Sequence, residues 1–546
     1  MPPVLPVDLL EGPMLVLEGR VVTMDDEFTV LPRGRVYVDK GAIRAVQDAA
    51  APAPAGFEAA KVVATDGTLF PGLIELHNHL SYNVLRLWTV PRKFTNRDQW
   101  GRIPDYGKLV TGPMKVLGQT ADLLPAVIRY VECKCLLGGV TTSQGIELFS
   151  NHGGRRYYRG IVRNVEQTDD PELPEAAAKI ADIEATDARR FLARLMRQSC
   201  FLLHLSEGTD DAAREHFQAL KIEGTEWAIT PALSGIHCAA LKPADFEVLG
   251  ARKGAMVWSP LSNLLLYGAT ADVRSARSHG VRIALGSDWS PTGSKNLLGE
   301  LKVAWLASVE AGNVFTKRDI AAMATREAAR VVGWQNVLGS LEAGKRADIL
   351  VVEGETGDPY DALLKASETS IRLVVINGMP RFGLGSLMKS LGVTGESVRV
   401  GGRGRTLNLK QANTDPVVGA ISLSKARKTL TDALHDLPKL ARDLERGRAG
   451  PMRAAVRGGP PTWFLALDEL ADTGIDLRPR LPLPGRRRPT GPSLEPTRAA
   501  VPFSRIAEPL TLDPLTVVDD DDFLDRIEAQ TVLPEFVRSG LRALYS

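Results

Sequence analysis

Two histidines one residue apart, His77 and His79, end the apolar run GTLFPGLIELHNH. On a strand, residues i and i+2 point to the same face, so both imidazoles project side by side, as two ligands of one metal ion must. Three later apolar runs also end in polar groups. His204 closes SCFLLH, with Glu207 three residues on; His237 closes ALSGIH; Asp288 closes VRIALGSD. Imidazole nitrogens with a carboxylate suit zinc, iron or another first-row divalent ion. Such an ion lowers the pKa of a bound water to about 7 and so supplies hydroxide at neutral pH. A leaving amine needs a proton, and Glu207 is placed to give it. His237 could ligate the ion or hydrogen-bond the attacking oxygen.

These groups need elements that bring strand ends together. Residues 14–66 read as strands and turns broken by Gly, Pro and Asp. From 67 to 340, short apolar runs alternate with amphipathic helical patterns, the signature of βα units on a parallel sheet. Seven strand cores are clear: GLIELH, GVTTSQGI, GIVRNVE, CFLLHLSE, ALSGIHCAAL, GAMVWSP and VRIALGSD. An eight-stranded (β/α) barrel needs one more, expected between Ile146 and Pro171. In such a barrel the C-terminal strand ends form the active site. Residues 341–400 return to strand character, so 1–66 and 341–400 are expected to pair as one small β-sandwich domain split by the barrel at 67–340.

A C-terminal extension, 401–546, follows. Leu423, Leu430, Leu434, Leu437 and Leu444 recur at helical spacing. Residues 458–502, rich in proline and carrying Arg486, Arg487 and Arg488, read as a surface-wrapping loop. Asp519 to Asp522 precede a helix at its positive end, and Leu533, Phe536, Val537, Leu541 and Leu544 suggest a docked terminal helix.

A formal net charge of +2 over 546 residues gives no bias toward nucleic acid or membrane surfaces. Four cysteines, Cys133, Cys135, Cys200 and Cys238, are too few for a disulfide framework and read as core thiols. The start of the chain lacks the basic lead and apolar core of a signal peptide. No apolar run nears the ~18 residues of a membrane span. The expected location is the cytoplasm.

Taken in order, GTLFPGLIELHNH, LLHLSE, GIHCAAL, WSPLSN, LGSD and LGSLEAGKRADILVV resemble the amidohydrolase superfamily. The resemblance is nearest to the branch of cytosine, guanine and S-adenosylhomocysteine deaminases and triazine hydrolases, and covers about residues 14–380. It implies a metal-dependent (β/α) barrel beside a composite β-sandwich. It makes His77, His79, His204 and Asp288 ligands of one divalent ion, zinc before iron. Glu207 becomes the proton shuttle and His237 the group that positions hydroxide and substrate; Asp288 also takes the proton as water attacks. Family members are commonly dimers or larger, so a homo-oligomer is expected. Substrate contacts are expected from Tyr82, Asn83, Trp88, His152 and Asn263. The Trp- and Arg-rich segment RLWTVPRKFTNRDQWGRIPDYG is a further candidate lining.

The reading that follows is a mononuclear hydrolase that releases ammonia from a small heterocycle or amidine. The alternative is a dinuclear enzyme that opens cyclic amides or cleaves N-acyl bonds, with Glu166 bridging two ions. A scaffold without catalysis is a third reading, disfavoured because every ligand type is present.

Overall fold

A computed structural model describes residues 12–179, 187–411, 414–447, 460–468, 475–476 and 501–545. Nine strands form the largest sheet. Their order across it is Glu396–Val400, Arg403–Leu407, Met379–Leu384, Ile371–Ile376, Ile349–Glu353, Val62–Pro71, Leu15–Val22, Val30–Asp39 and Ala42–Asp48. Val62–Pro71 lies parallel to Leu15–Val22 on one side and antiparallel to Ile349–Glu353 on the other, with Leu350 opposite Phe70. Successive side chains alternate between faces. Ile349 and Val351 therefore join Leu17, Val36 and Leu69 in one core, while Leu350 and Val352 join the large central core. Burial on both faces explains the unbroken apolar run ILVV.

Two arcs of parallel strands lie beside this sheet. One holds Leu73–Glu75, Val140–Ser143 and Arg163–Asn164; the other holds Ala177–Lys179, Phe201–Leu205, Leu233–His237, Ala255–Trp258 and Arg282–Leu285. Backbone hydrogen bonds span both gaps between the arcs. Leu76 N–H donates to Leu285 O over 3.2 Å, and Ala176 N–H to Val165 O over 2.8 Å. Ile74, Leu76, Val165, Leu202, Ile236, Val257 and Ala284 meet in one cluster between them. Leu203, Leu205, Met256 and Leu285 instead pack outward into the central core.

The eighth parallel strand is Ala177–Lys179, outside the Ile146–Pro171 window where the sequence placed it. That window holds an antiparallel pair, Glu147–Ser150 with Arg155–Tyr157, and then Arg163–Asn164. The run AAAK has strong helix propensity. Three residues of ladder against Phe201–Leu203 override it, as tertiary pairing commonly does.

The leucine pattern after residue 400 forms helices Leu423–His435 and Leu437–Glu445, with Leu423, Leu430, Leu434, Leu437 and Leu444 all buried. Trp463–Leu465 adds a third strand to the Glu147–Ser150 pair. The terminal helix Glu535–Ala543 docks through Val537 and Leu541. Between these, Asp513 and Asp520 reach the interior. Lys134 Nζ donates to Asp513, to Asn83 O at 2.9 Å and to Ser290 Oγ at 2.9 Å. Lys295 Nζ sits 2.6 Å from Asp513 Oδ1 and 2.7 Å from Asp520 Oδ2. Asp520 is thus an interior ion-pair partner. The arginine run Arg486 to Arg488 lies outside the described residues. Among the described residues no helix is long and apolar enough to cross a membrane.

Candidate metal centre

His77, His79, His204, Glu207, His237 and Asp288 converge where the parallel strands end. His204 shares its face with Leu202 and so continues the inner column of the arc. His237 and Asp288 leave their strands with φ of 69° and 65°, and Ser206 and Cys238 have φ of 52°. Left-handed backbone at residues with a Cβ is uncommon and costs about 1 kcal/mol or more each. Here it turns three strand ends toward one point. Ligand atoms of His77, His204 and His237 lie within 4.8 Å of one another, as do those of His77, His79 and Asp288.

Each of four groups is held from behind. His77 Nδ1 lies 3.0 Å from Gln144 Oε1. That oxygen also accepts from Asn78 N–H, while Gln144 Nε2 donates to Glu166. These two bonds fix the amide's orientation, so His77 carries its proton on Nδ1 and turns a bare Nε2 lone pair to the centre. His79 Nδ1 lies 2.8 Å from Asp468 Oδ2. Asn263 Nδ2 lies 3.0 Å from His237 Nδ1, and Ser262 Oγ donates to Asp288 Oδ2 at 2.6 Å. Such second contacts set tautomer and aim.

Toward the centre the groups are unsatisfied. His77 is fully buried, and its Nε2 makes no hydrogen bond although Asp288 Oδ1 is 3.1 Å away. His79 Nε2 is 3.5 Å from the same oxygen, and His204 Nδ1 is buried without a hydrogen-bond partner. The His77 lone pair facing a carboxylate at this range is repelled unless a cation lies between them. The donor set, imidazoles with one carboxylate, fits a first-row divalent ion.

Burial and neighbours set the charges. Burial lowers the His237 imidazole to about 3, helped by the other imidazoles, so it is neutral; burial likewise holds His204 well below its ordinary value. Burial also works against a charged His79, but the Asp468 hydrogen bond and the charges of Asp468, Asp288 and Glu207 outweigh it and raise it to about 9. Asp288 resists burial because surrounding imidazoles keep its carboxyl far below the usual range. Glu207 goes the other way: burial, reinforced by the Asp288 charge, raises it against the opposing Arg97 charge and the Tyr267 hydrogen bond. Tyr267 Oη donates to Glu207 Oε1 at 2.7 Å and accepts from Trp100 Nε1 at 3.0 Å. A carboxyl raised beside one held ionised is the pattern of an acid–base pair.

A cavity of about 90 Å³ opens on these groups, walled by Tyr82, Arg97, Trp100, Tyr106, Trp289 and Asp468. The Trp- and Arg-rich segment supplies three of those walls. A second cavity of about 310 Å³ adjoins it, sharing His79, His204 and Asp468.

Of the expected substrate contacts, only Tyr82 lines a cavity. Asn83 is consumed by Asn78, Ser290 and Lys134. Trp88 is buried behind the wall against Phe94 and Tyr106. Asn263 holds His237 instead of facing substrate. His152 is exposed on the turn Ser150–Gly154. Glu166 is not brought into the candidate ligand groups: its oxygens accept from Gln144 Nε2 and Gly145 N–H, one residue removed from His77. Burial raises it to about 7.

Sequence reasoning missed Gln144, Tyr267 and Asp468. Gln144 follows the strand Val140–Ser143, so the rule that found His204 applies to it. Tyr267 ends a helix and Asp468 lies in the extension, where no strand-end rule reaches.

Residues 198–380 match the amidohydrolase family. The 5-methylthioadenosine/S-adenosylhomocysteine deaminase of Symbiobacterium thermophilum is 24% identical over 389 residues, covering 62% of this chain and 85% of that protein. The S-triazine hydrolase of Gordonia rubripertincta is 28% identical over 193 residues, covering 33% of this chain and 40% of that one. A Xanthomonas campestris adenosine deaminase solved with bound zinc aligns at a TM-score of 0.53 with 19% identity, over 69% of this chain and 93% of its own. A triazine hydrolase variant aligns at 0.52 with 17% identity, over 77% and 99%. Over residues 198–380 the chain is therefore similar to the amidohydrolase family, and the relatives it resembles are deaminases and triazine hydrolases.

Proposed function

We propose that this protein is a metal-dependent hydrolase that removes an amino group from a small aromatic heterocycle and releases ammonia. The observation that carries the reading is the bare, fully buried Nε2 of His77, facing Asp288 among three further imidazoles. The two parallel arcs together make the eight-stranded (β/α) barrel, and the nine-stranded sheet is the composite β domain beside it.

His77, His79, His204 and Asp288 would hold one divalent ion, zinc by donor type. Such an ion is a Lewis acid that brings the pKa of water down to about 7. The chain's own residues do the rest. Trp100, Tyr106 and Trp289 present ring faces and edges to a planar substrate in the 90 Å³ cavity. Glu207, whose carboxyl burial raises above the ordinary carboxylate range, is placed to give a proton to the ring nitrogen. Asp288, kept ionised, receives the proton of the attacking water. His237 accepts from Asn263 at Nδ1, so its Nε2–H faces the site and donates to the developing oxygen anion. The proton on Asp288 then leaves with the amine as ammonia, and the hydroxyl proton of the adduct returns to Glu207 as the carbonyl forms.

The test is a panel of 5′-methylthioadenosine, S-adenosylhomocysteine, guanine and amino-s-triazines, assayed for ammonia with the zinc-loaded protein. Release from one of them supports the reading. A zinc-replete protein that hydrolyses dihydropyrimidines or N-acyl amino acids, and none of the panel, overturns it.

A further inference from the structure

Resting on the metal site proposed above, we propose that the extension after residue 400 completes that site, with Asp468 as the positioning residue of His79.

The other orienting contacts come from the same body as the groups they hold: Gln144 for His77, Asn263 for His237, Ser262 for Asp288. His79 alone is held by a residue 389 positions away in sequence. Asp468 Oδ2 accepts the Nδ1 proton at 2.8 Å, which leaves Nε2 turned toward Asp288 Oδ1. Without that acceptor the ring is free to choose the other tautomer or to rotate, and either loses the ligand.

Asp468 is delivered by a defined piece of structure. Trp463–Leu465 pairs antiparallel with Glu147–Ser150, Trp463 opposite Ser150 and Leu465 opposite Leu148. Thr462 N–H donates to Asn151 Oδ1 at 3.0 Å, and Ala466 N–H to Glu147 O at 3.0 Å, so the ladder is pinned at both ends. Phe464 packs on Phe149 with ring centroids 5.6 Å apart, and the Arg156 guanidinium lies 4.7 Å from the centre of Trp463. Phe464 and Leu465 are buried. The hydrogen bonds at both ends and the Phe464–Phe149 ring contact fix the register of this strand. That register also sets where Asp468 falls. Asp468 borders both the 90 Å³ and the 310 Å³ cavity, so the same side chain that aims a ligand also closes the substrate space.

The experiment uses the full chain, stripped of metal and titrated with Co²⁺ alone. Asp468→Asn, nearly isosteric and partly exposed, should melt like wild type when metal-free. It should bind Co²⁺ about 10–100-fold more weakly, with an altered visible spectrum. Asp468→Glu should recover part of that affinity, which a purely structural role would not produce. An Asp468→Asn protein whose Co²⁺ affinity stays within twofold of wild type, with the same spectrum, overturns the assignment. Should Asp468→Asn fail to fold, the wild type decides by itself. Labelled with ¹⁵N-histidine, it must show a protected imidazole Nδ1–H signal that His79→Gln removes; if none is found, His79 is not so held. A wild type that takes up no Co²⁺ overturns the metal reading and this assignment together. One equivalent bound, with Asp468→Asn unchanged, overturns this assignment alone.

Discussion

Lys134, Lys295, Asp513 and Asp520 are as deeply buried as His77, His204, His237 and Asp288, yet the first four satisfy one another and the second four do not. In the lysine–aspartate cluster, both amines meet carboxylates, and the remaining protons go to Asn83 O, Ser290 Oγ and Pro514 O. At the candidate metal centre, the Nε2 of His77 faces the Asp288 carboxylate without a hydrogen bond. Burying charge is costly unless it is paired and hydrogen-bonded. A complete buried cluster holds structure; unpartnered imidazole nitrogen beside a carboxylate is the donor arrangement a divalent ion would need. The two are also joined: Asn83 ties Lys134 through Asn78 to the loop between His77 and His79.

The contrast can be broken most sharply at Glu207. Glu207→Gln should lower turnover by about 10²–10⁴-fold, since a positioned proton donor contributes about that much, while elemental analysis finds its metal content unchanged. Near-normal turnover would remove Glu207 from the reaction. The paired cluster should respond in stability instead. Asp513→Ala leaves two buried ammonium groups short of a partner and should cost about 3–5 kcal/mol in denaturant unfolding. A loss below about 1 kcal/mol would mean that water reaches the cluster. Chelation separates the two again: stripping the ion should lower stability by about 2.7 kcal/mol when free metal had stood at about 100 times its Kd. The same treatment should leave the Asp513→Ala penalty as it was.

Glu300 stands between the two cases. It accepts from Leu261 N–H at 3.0 Å and from Ser294 Oγ, no ion pair reaches it among the described residues, and burial raises it from 4.5 to about 8. The folded state therefore binds more protons than the unfolded state between those values. Its contribution is full below about pH 4.5, declines as pH rises, and is gone above about 8, with a slope of at most about 1.4 kcal/mol per pH unit. Glu300→Gln should flatten the fall of melting temperature across that window; an unchanged profile would show Glu300 ionised in the folded protein. The smallest effect is expected from His204→Gln without metal. Because His204 Nδ1 has no partner to lose, unfolding should shift by less than about 1 kcal/mol, though metal retention should fail.

The strand-end residues were readable because one rule, a polar group where an apolar run stops, found His77, His79, His204, His237 and Asp288 alike. The rule fails where periodicity is too short to register. Ala177–Lys179 has three residues of strand inside an alanine-rich run, and Arg163–Asn164 has two. Polarity alone also misled: Asn83, Trp88 and Asn263 sit close to the site in sequence, yet each is spent on holding another residue. Asp468 could not be read at all, because its meaning depends on a strand pairing across more than three hundred residues of sequence.

The nine-stranded sheet sets a timetable for synthesis. Val62–Pro71 has its first neighbour, Leu15–Val22, early, but its second, Ile349–Glu353, follows only after everything from Leu73 to Asp348 has been translated. At roughly 5–20 residues per second that wait is on the order of tens of seconds. Throughout it, an edge carrying Leu69 and Phe70 stands open on the ribosome. Open apolar edges recruit other strands. The nascent chain is therefore at its most aggregation-prone before residue 349 emerges, and slower translation lengthens that exposure.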